Sequence, residues 1–156
     1  MTEAAVRLFT SKQMGDAAEM IVAAELTLAG VPALKVPDNW PSYDVIAQPA
    51  GTGPQRISVK ARTFKKGAAY VQYLGSNDFD WLAIVILADD GTNKRTIYIV
   101  PRAEVDRQAQ RNAPTTKTAD VRYLTISQLE RRFGSYRDNF ELKTPSLAPV
   151  PSPMPA

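Results

Sequence analysis

Two short segments, Tyr43-Asp44-Val45-Ile46-Ala47 and Arg56-Ile57-Ser58-Val59-Lys60-Ala61-Arg62, constrain this chain more than any other feature in it. Each reads as a short strand. The residues between them, 48–55, include Pro49, Gly51, Gly53 and Pro54, which mark a turn. The pair is therefore expected to form a hairpin. Such a hairpin brings Asp44, at the start of one strand, near Lys60, inside the other. A carboxylate and an amine placed together on a sheet suit a divalent metal and a phosphate. Ser58 lies two before Lys60 and shares its face. That is where this chemistry would want a second carboxylate.

Composition narrows the field by what is missing. The chain has 156 residues, 44% of them hydrophobic, enough for one domain with a core. No apolar run reaches the ~20 residues that span a bilayer. The first ten residues lack the basic-then-apolar layout of a signal peptide. There are no cysteines and no histidines. This excludes a Ser-His-Asp triad, a cysteine nucleophile and Cys/His zinc sites. Without disulfides or a leader, the cytoplasm is the expected compartment. Acid–base work falls to Asp, Glu, Lys, Tyr or a metal-bound water. The net charge of +3 permits a nucleic-acid partner without demanding one.

The chain divides at about residue 143. Residues 144–156 carry five of the twelve prolines and no charged side chain. They read as a disordered, partly polyproline tail, which could also dock a protein partner. Residues 1–143 read as the folded domain. Thr10 and Gln13 suit a capping box, and Gly30 suits a helix stop, so residues 11–29 are expected to be helical. Met14, Ala18, Ile21, Val22, Leu28 and Ala29 fall on one stripe. Glu25 falls near the middle of that stripe and Glu19 on its margin. Each needs either a partner, such as a neighbouring Arg, or a job.

Residues 31–37 read as a short extended segment. Residues 79–87 (FDWLAIVIL) read as a buried central strand, and residues 95–100 as the next strand. A helix is expected from Pro101 to about Arg111. Another is expected over residues 125–133, with Thr125 and Gln128 as its capping box and Gly134 as its stop. The order is helix, strands, helices, which implies an α/β (α+β) fold with a sheet flanked by helices.

The ordered set Gly15-Asp16-Ala17-Ala18-Glu19, Tyr43-Asp44-Val45-Ile46-Ala47 and Ile57-Ser58-Val59-Lys60 resembles the PD-(D/E)XK nuclease superfamily, in its Holliday-junction-resolvase-like and small bacterial endonuclease branch. Asp80-Trp81-Leu82-Ala83-Ile84-Val85 and Tyr98-Ile99-Val100-Pro101 fit later strands of that family. The resemblance covers residues 15–101. It implies a restriction-endonuclease-like central mixed sheet and hydrolysis of DNA phosphodiester bonds with Mg²⁺ or Mn²⁺. By the resemblance, Glu19 and Asp44 hold the metal together with the Val59 carbonyl. Lys60 orients water and stabilises phosphate charge. Ser58 replaces the Glu or Gln of the family pattern. Asp38, although it follows Pro37, sits at the wrong spacing for the central aspartate. Arg56, Arg62, Lys65 and Lys66 would contact DNA phosphates.

Plainer readings stand beside these. Asp44 also suits a turn, and Lys60 a solvent-facing strand position. Tyr70 and Tyr73 suit either base stacking or packing. The neutral hydroxyl of Ser58 leaves open a weakened or inactive nuclease-fold protein that binds DNA or a protein. Further partners that the sequence allows are a second copy of the chain, in a homodimer, and a protein docking on the Pro-rich tail.

Overall fold

The computed structural model describes residues 8–63, 69–88, 91, 92 and 94–144. Lys65, Lys66 and tail residues 145–156 lie outside the described residues. The first element is helix α1, Ser11–Leu28. Its capping box forms as the sequence suggests. The Gln13 N–H donates to Thr10 Oγ1 at 3.1 Å, and the Thr10 N–H donates to Gln13 Oε1 at 2.9 Å. At the other end Gly30 takes φ 95°, a left-handed conformation that glycine adopts without steric cost. The Val31 N–H then returns to the Leu26 carbonyl at 2.9 Å.

The central sheet has five strands in the order β1-β2-β3-β5-β6. These are β1 (Ala33–Lys35), β2 (Val45–Ala47), β3 (Gln55–Thr63), β5 (Trp81–Leu87) and β6 (Arg95–Pro101). The hairpin is present: β2 and β3 are antiparallel, with Val45 opposite Ile57. β3 and β5 run parallel, and the remaining neighbours are antiparallel, so the sheet is mixed. A smaller sheet of three strands, ordered β4-β8-β7, is built from β4 (Tyr70–Leu74), β7 (Gln110–Arg111) and β8 (Val121–Thr125).

Two cores sit on opposite faces of the central sheet. Met14, Ala18, Val22 and Leu26 of α1 pack on Val45, Ile57, Val59, Ala61, Ala83 and Val85. On the other face Leu82, Ile84, Tyr98 and Val100 meet Val71 and Tyr73 of β4, Leu124 of β8 and Phe133. β5 is buried on both faces, which accounts for its unbroken apolar run. β3 alternates between the two. Ile57, Val59 and Ala61 face α1, so Ser58, Lys60 and Arg62 lie on the opposite face.

Several sequence expectations are corrected. The buried stripe of α1 runs through Leu26, whereas Leu28 is 82% exposed. An i, i+4 row through four turns covers the sheet, and the helix leaves it before Leu28. Helix α2 is Arg102–Gln108, shorter than expected, because Ala109 turns extended and residues 110–111 join β7. Residues 126–128 form a 3₁₀ turn before α3, Leu129–Phe133, with no side-chain cap from Thr125 or Gln128. Thr125 is committed to β8 instead. Tyr73 is buried, its hydroxyl donating to Asp106 Oδ1 at 2.6 Å, so it packs rather than stacks on bases. Among the described residues, no helix is long and apolar enough to cross a membrane.

Candidate nuclease site

The site forms at the notch where β2 ends and β3 continues. Pairing with β3 begins at Val45, one residue after Asp44. Beyond that point the Val59 N–H has no strand partner on this side, and the Asp44 side chain supplies one. Asp44 Oδ2 accepts from the Val59 N–H at 2.7 Å. The Asp44 N–H in turn donates to the Ile57 carbonyl at 2.9 Å. The carboxylate is thus fixed from two sides. The approach is strained: Ser42, two residues earlier, has φ 73°, unusual for a residue with a side chain. Trp40 packs edge-on against Tyr43 with ring centroids 6.2 Å apart, which shapes the same loop.

Helix α1 brings Glu19 to this notch. Its side chain is 16% exposed and stands beside the Asp44 carboxyl, close enough to feel its charge. Burial, then the Asp44 contact, push the Glu19 carboxyl up to about 7. Two carboxyls in contact want either a shared proton or a cation. The cation paired with Glu19 is Lys35, with Nζ 3.8 Å from Oε2. Lys60 is half-buried and, among the described residues, makes no ion pair. It follows Val59 directly and lies on the same sheet face as Ser58, which is 2% exposed.

The other candidates separate. Asp38 binds Lys35 at 2.8 Å and Lys12 at 3.2 Å, apart from the Glu19–Asp44 contact. Glu25 pairs with Arg95 of β6 at 3.4 Å, a support contact between α1 and the sheet. Arg56 is already occupied. Its Nε and Nη2 donate to Asp80 at 3.1 and 3.2 Å, and its Nη1 to Asp78 at 2.5 Å. Among the described residues, Arg62 donates to the neighbouring Ala61 carbonyl at 2.7 Å and forms no ion pair. Sequence reasoning missed Lys35. Its signal is the register of β1, which sets Lys35 opposite Val45, beside Asp44. The one-dimensional pattern does not carry that register.

Among the described residues no group of three or more acidic side chains could hold a metal ion. Two carboxylates in contact remain, and Mg²⁺ commonly binds one or two carboxylates while keeping several waters. The residues present fit such an ion, with fewer protein ligands than a three-carboxylate site.

No family model and no curated protein matches the sequence. Solved structures do. The bacterial homing endonuclease I-Ssp6803I is 20% identical, with a TM-score of 0.54 over 86% of this chain and 91% of that one. The Holliday junction resolvase Hjc of the archaeal hyperthermophile Archaeoglobus fulgidus is 18% identical, with a TM-score of 0.41 over 69% of this chain and 88% of that one. The chain shares the fold of that homing endonuclease, a restriction-endonuclease-like arrangement with a five-stranded mixed central sheet and flanking helices.

Proposed function

We propose that this chain is a divalent-metal-dependent DNA endonuclease of the PD-(D/E)XK type. The observation that carries the reading is the contact of Glu19 with Asp44 in the β2–β3 notch, one residue from Lys60, within a nuclease fold. Glu19, Asp44 and the Val59 carbonyl would hold Mg²⁺ or Mn²⁺. When bound, such a cation acidifies a coordinated water and neutralises phosphate charge. Lys60 orients the attacking water and stabilises the developing negative charge of the phosphate. Ser58, buried on the face of β3 away from α1, adds no charge to the site. Arg62, with Lys65 and Lys66 in the adjoining sequence, holds the DNA backbone and positions it without reading bases.

A second reading rests on Ser58 and the two-carboxylate donor set. One charge fewer weakens the metal site, and a nuclease-fold protein that binds DNA with little or no cleavage results. A single experiment separates the two. Duplex, branched and single-stranded DNA are incubated with Mg²⁺ or Mn²⁺ and with the wild-type or the Asp44→Asn protein. Metal-dependent cleavage that vanishes in Asp44→Asn supports the first reading. Salt-sensitive binding without cleavage supports the second. Cleavage that persists in Asp44→Asn would remove this site from consideration.

A further inference from the structure

Glu19 lies beside Asp44, and a cationic side chain, Lys35, already stands 3.8 Å from Glu19. Lys35 lies in β1, and the register of β1 with β2 sets it opposite Val45. Its backbone neighbour is tied to the same notch, since the Val36 N–H donates to the Asp44 carbonyl at 3.0 Å. The side chain is 26% exposed, so it is not a freely solvated lysine. Its ammonium has two acidic partners: Asp38 Oδ1 at 2.8 Å and Glu19 Oε2 at 3.8 Å. Asp38 is in turn shared with Lys12, at 3.2 Å, and Lys12 also reaches Asp16 at 3.3 Å. The chain of contacts runs Asp16, Lys12, Asp38, Lys35, Glu19, Asp44.

The ammonium of Lys35 and a divalent cation therefore answer the same electrostatic need, the charge of the two carboxylates. Both cannot be served at full strength. A positive charge about 4–6 Å from a divalent ion repels it appreciably even through a well-screened medium. Asp38 holds the ammonium at the shorter of the two distances, drawn away from Glu19. We propose that Lys35 is a positioning residue that sets the metal affinity of the Glu19–Asp44 pair, with Asp38 as the dock that draws it aside. This inference rests on the nuclease reading of the same carboxylates. It adds a competitor and the acid that restrains it.

Mn²⁺ binding to the full chain without DNA, followed by electron paramagnetic resonance or calorimetry, tests the idea independently of cleavage. Lys35→Gln is expected to tighten Mn²⁺ binding by about tenfold or more, because one repelling charge is gone. Lys35→Arg is expected to keep the wild-type affinity within a few-fold. Asp38→Asn is expected to weaken binding, since the freed ammonium settles on Glu19. Lys143→Ala, at an exposed lysine outside this chain of contacts, serves as the control. A merely structural lysine would change the melting temperature in Lys35→Gln without tightening Mn²⁺. Binding that is lost in Asp44→Asn but unchanged or weakened in Lys35→Gln would overturn the inference and leave the nuclease reading standing. Absence of Mn²⁺ binding from wild type and Lys35→Gln alike would overturn both.

Discussion

Glu19 and Asp44 show how a single side-chain contact is read out in stability. In the folded, metal-free protein the Glu19 carboxyl titrates at about 7, against an ordinary value of 4.5. The folded state therefore keeps a proton that the unfolded chain releases. The stabilisation is present in full below about 4.5 and is lost as pH rises towards 7. Metal-free protein is expected to melt at a lower temperature at pH 8 than at pH 5.5. Glu19→Gln, which removes the charge and keeps the shape, is expected to flatten that difference; an unchanged pH profile would mean that burial and the Asp44 charge do not raise the Glu19 carboxyl in solution. Ser58 gives a second test. Ser58→Glu is expected to tighten Mn²⁺ binding and to raise or restore cleavage, provided the buried position accepts the longer side chain, which a melting curve checks. Glu19, Asp44 and Lys60 were legible because each is a charged residue at a spacing that a helix, a strand start and a strand can carry. Lys35 was not, because its position depends on pairing between β1 and β2.

The elements differ in how much of themselves they write into the sequence. Helix α1 announces both ends through Thr10, Gln13 and Gly30, and the hairpin announces its turn through glycine and proline. β5 is an apolar run because both of its faces are covered. β8 is harder to see. Val121-Arg122-Tyr123-Leu124-Thr125 mixes polar and apolar residues, and only Leu124 is fully buried, because one face of the small sheet meets solvent. The last helix was overextended because its first residue is spent on that strand. Arg56 has the charge of a phosphate contact, yet it joins the start of β3 to the start of β5 through Asp78 and Asp80. Burial works against the Asp80 carboxylate, but the side-chain and backbone donors of Arg56 outweigh it and hold its pKa below the ordinary value. That contribution is present at neutral pH and disappears as the solution is acidified below about 3.8, the ordinary aspartate value. Arg56→Ala is expected to cost about 1–2 kcal/mol, discounted for partial exposure, in chemical denaturation at pH 7. DNA affinity should change little; a large loss of affinity with unchanged stability would return Arg56 to the DNA surface.

At the scale of the whole molecule, the carboxylates proposed to hold the metal and the side chains proposed to hold DNA fall on different sides of β3, with Lys60 on the DNA side. The carboxylates meet at the notch on the α1 side, whereas Ser58, Lys60 and Arg62 share the opposite face of β3. Asp44 sits between, held in the plane of the sheet by the Val59 N–H. This arrangement predicts that the two properties come apart under mutation. Asp44→Asn keeps an oxygen that can accept from Val59, so the fold survives while the charge is lost. Asp44→Ala leaves that N–H unpaired and should cost about 1–2 kcal/mol more. DNA binding by Asp44→Asn should match wild type, or exceed it slightly, because a negative charge has gone from a surface that meets phosphates. The logarithm of the binding constant should fall linearly with the logarithm of salt concentration, and replacing Arg62 by Ala should make that slope shallower by about 0.9 on duplex DNA. Lys65 and Lys66 should each do the same if they share the track. Fluorescence anisotropy across a salt series, without divalent metal so that nothing is cut, measures all of these proteins on one footing. A slope that stays constant when Arg62 is neutralised would place the DNA on a different face of the sheet from Lys60, and the catalytic assignment of Lys60 would fall with it.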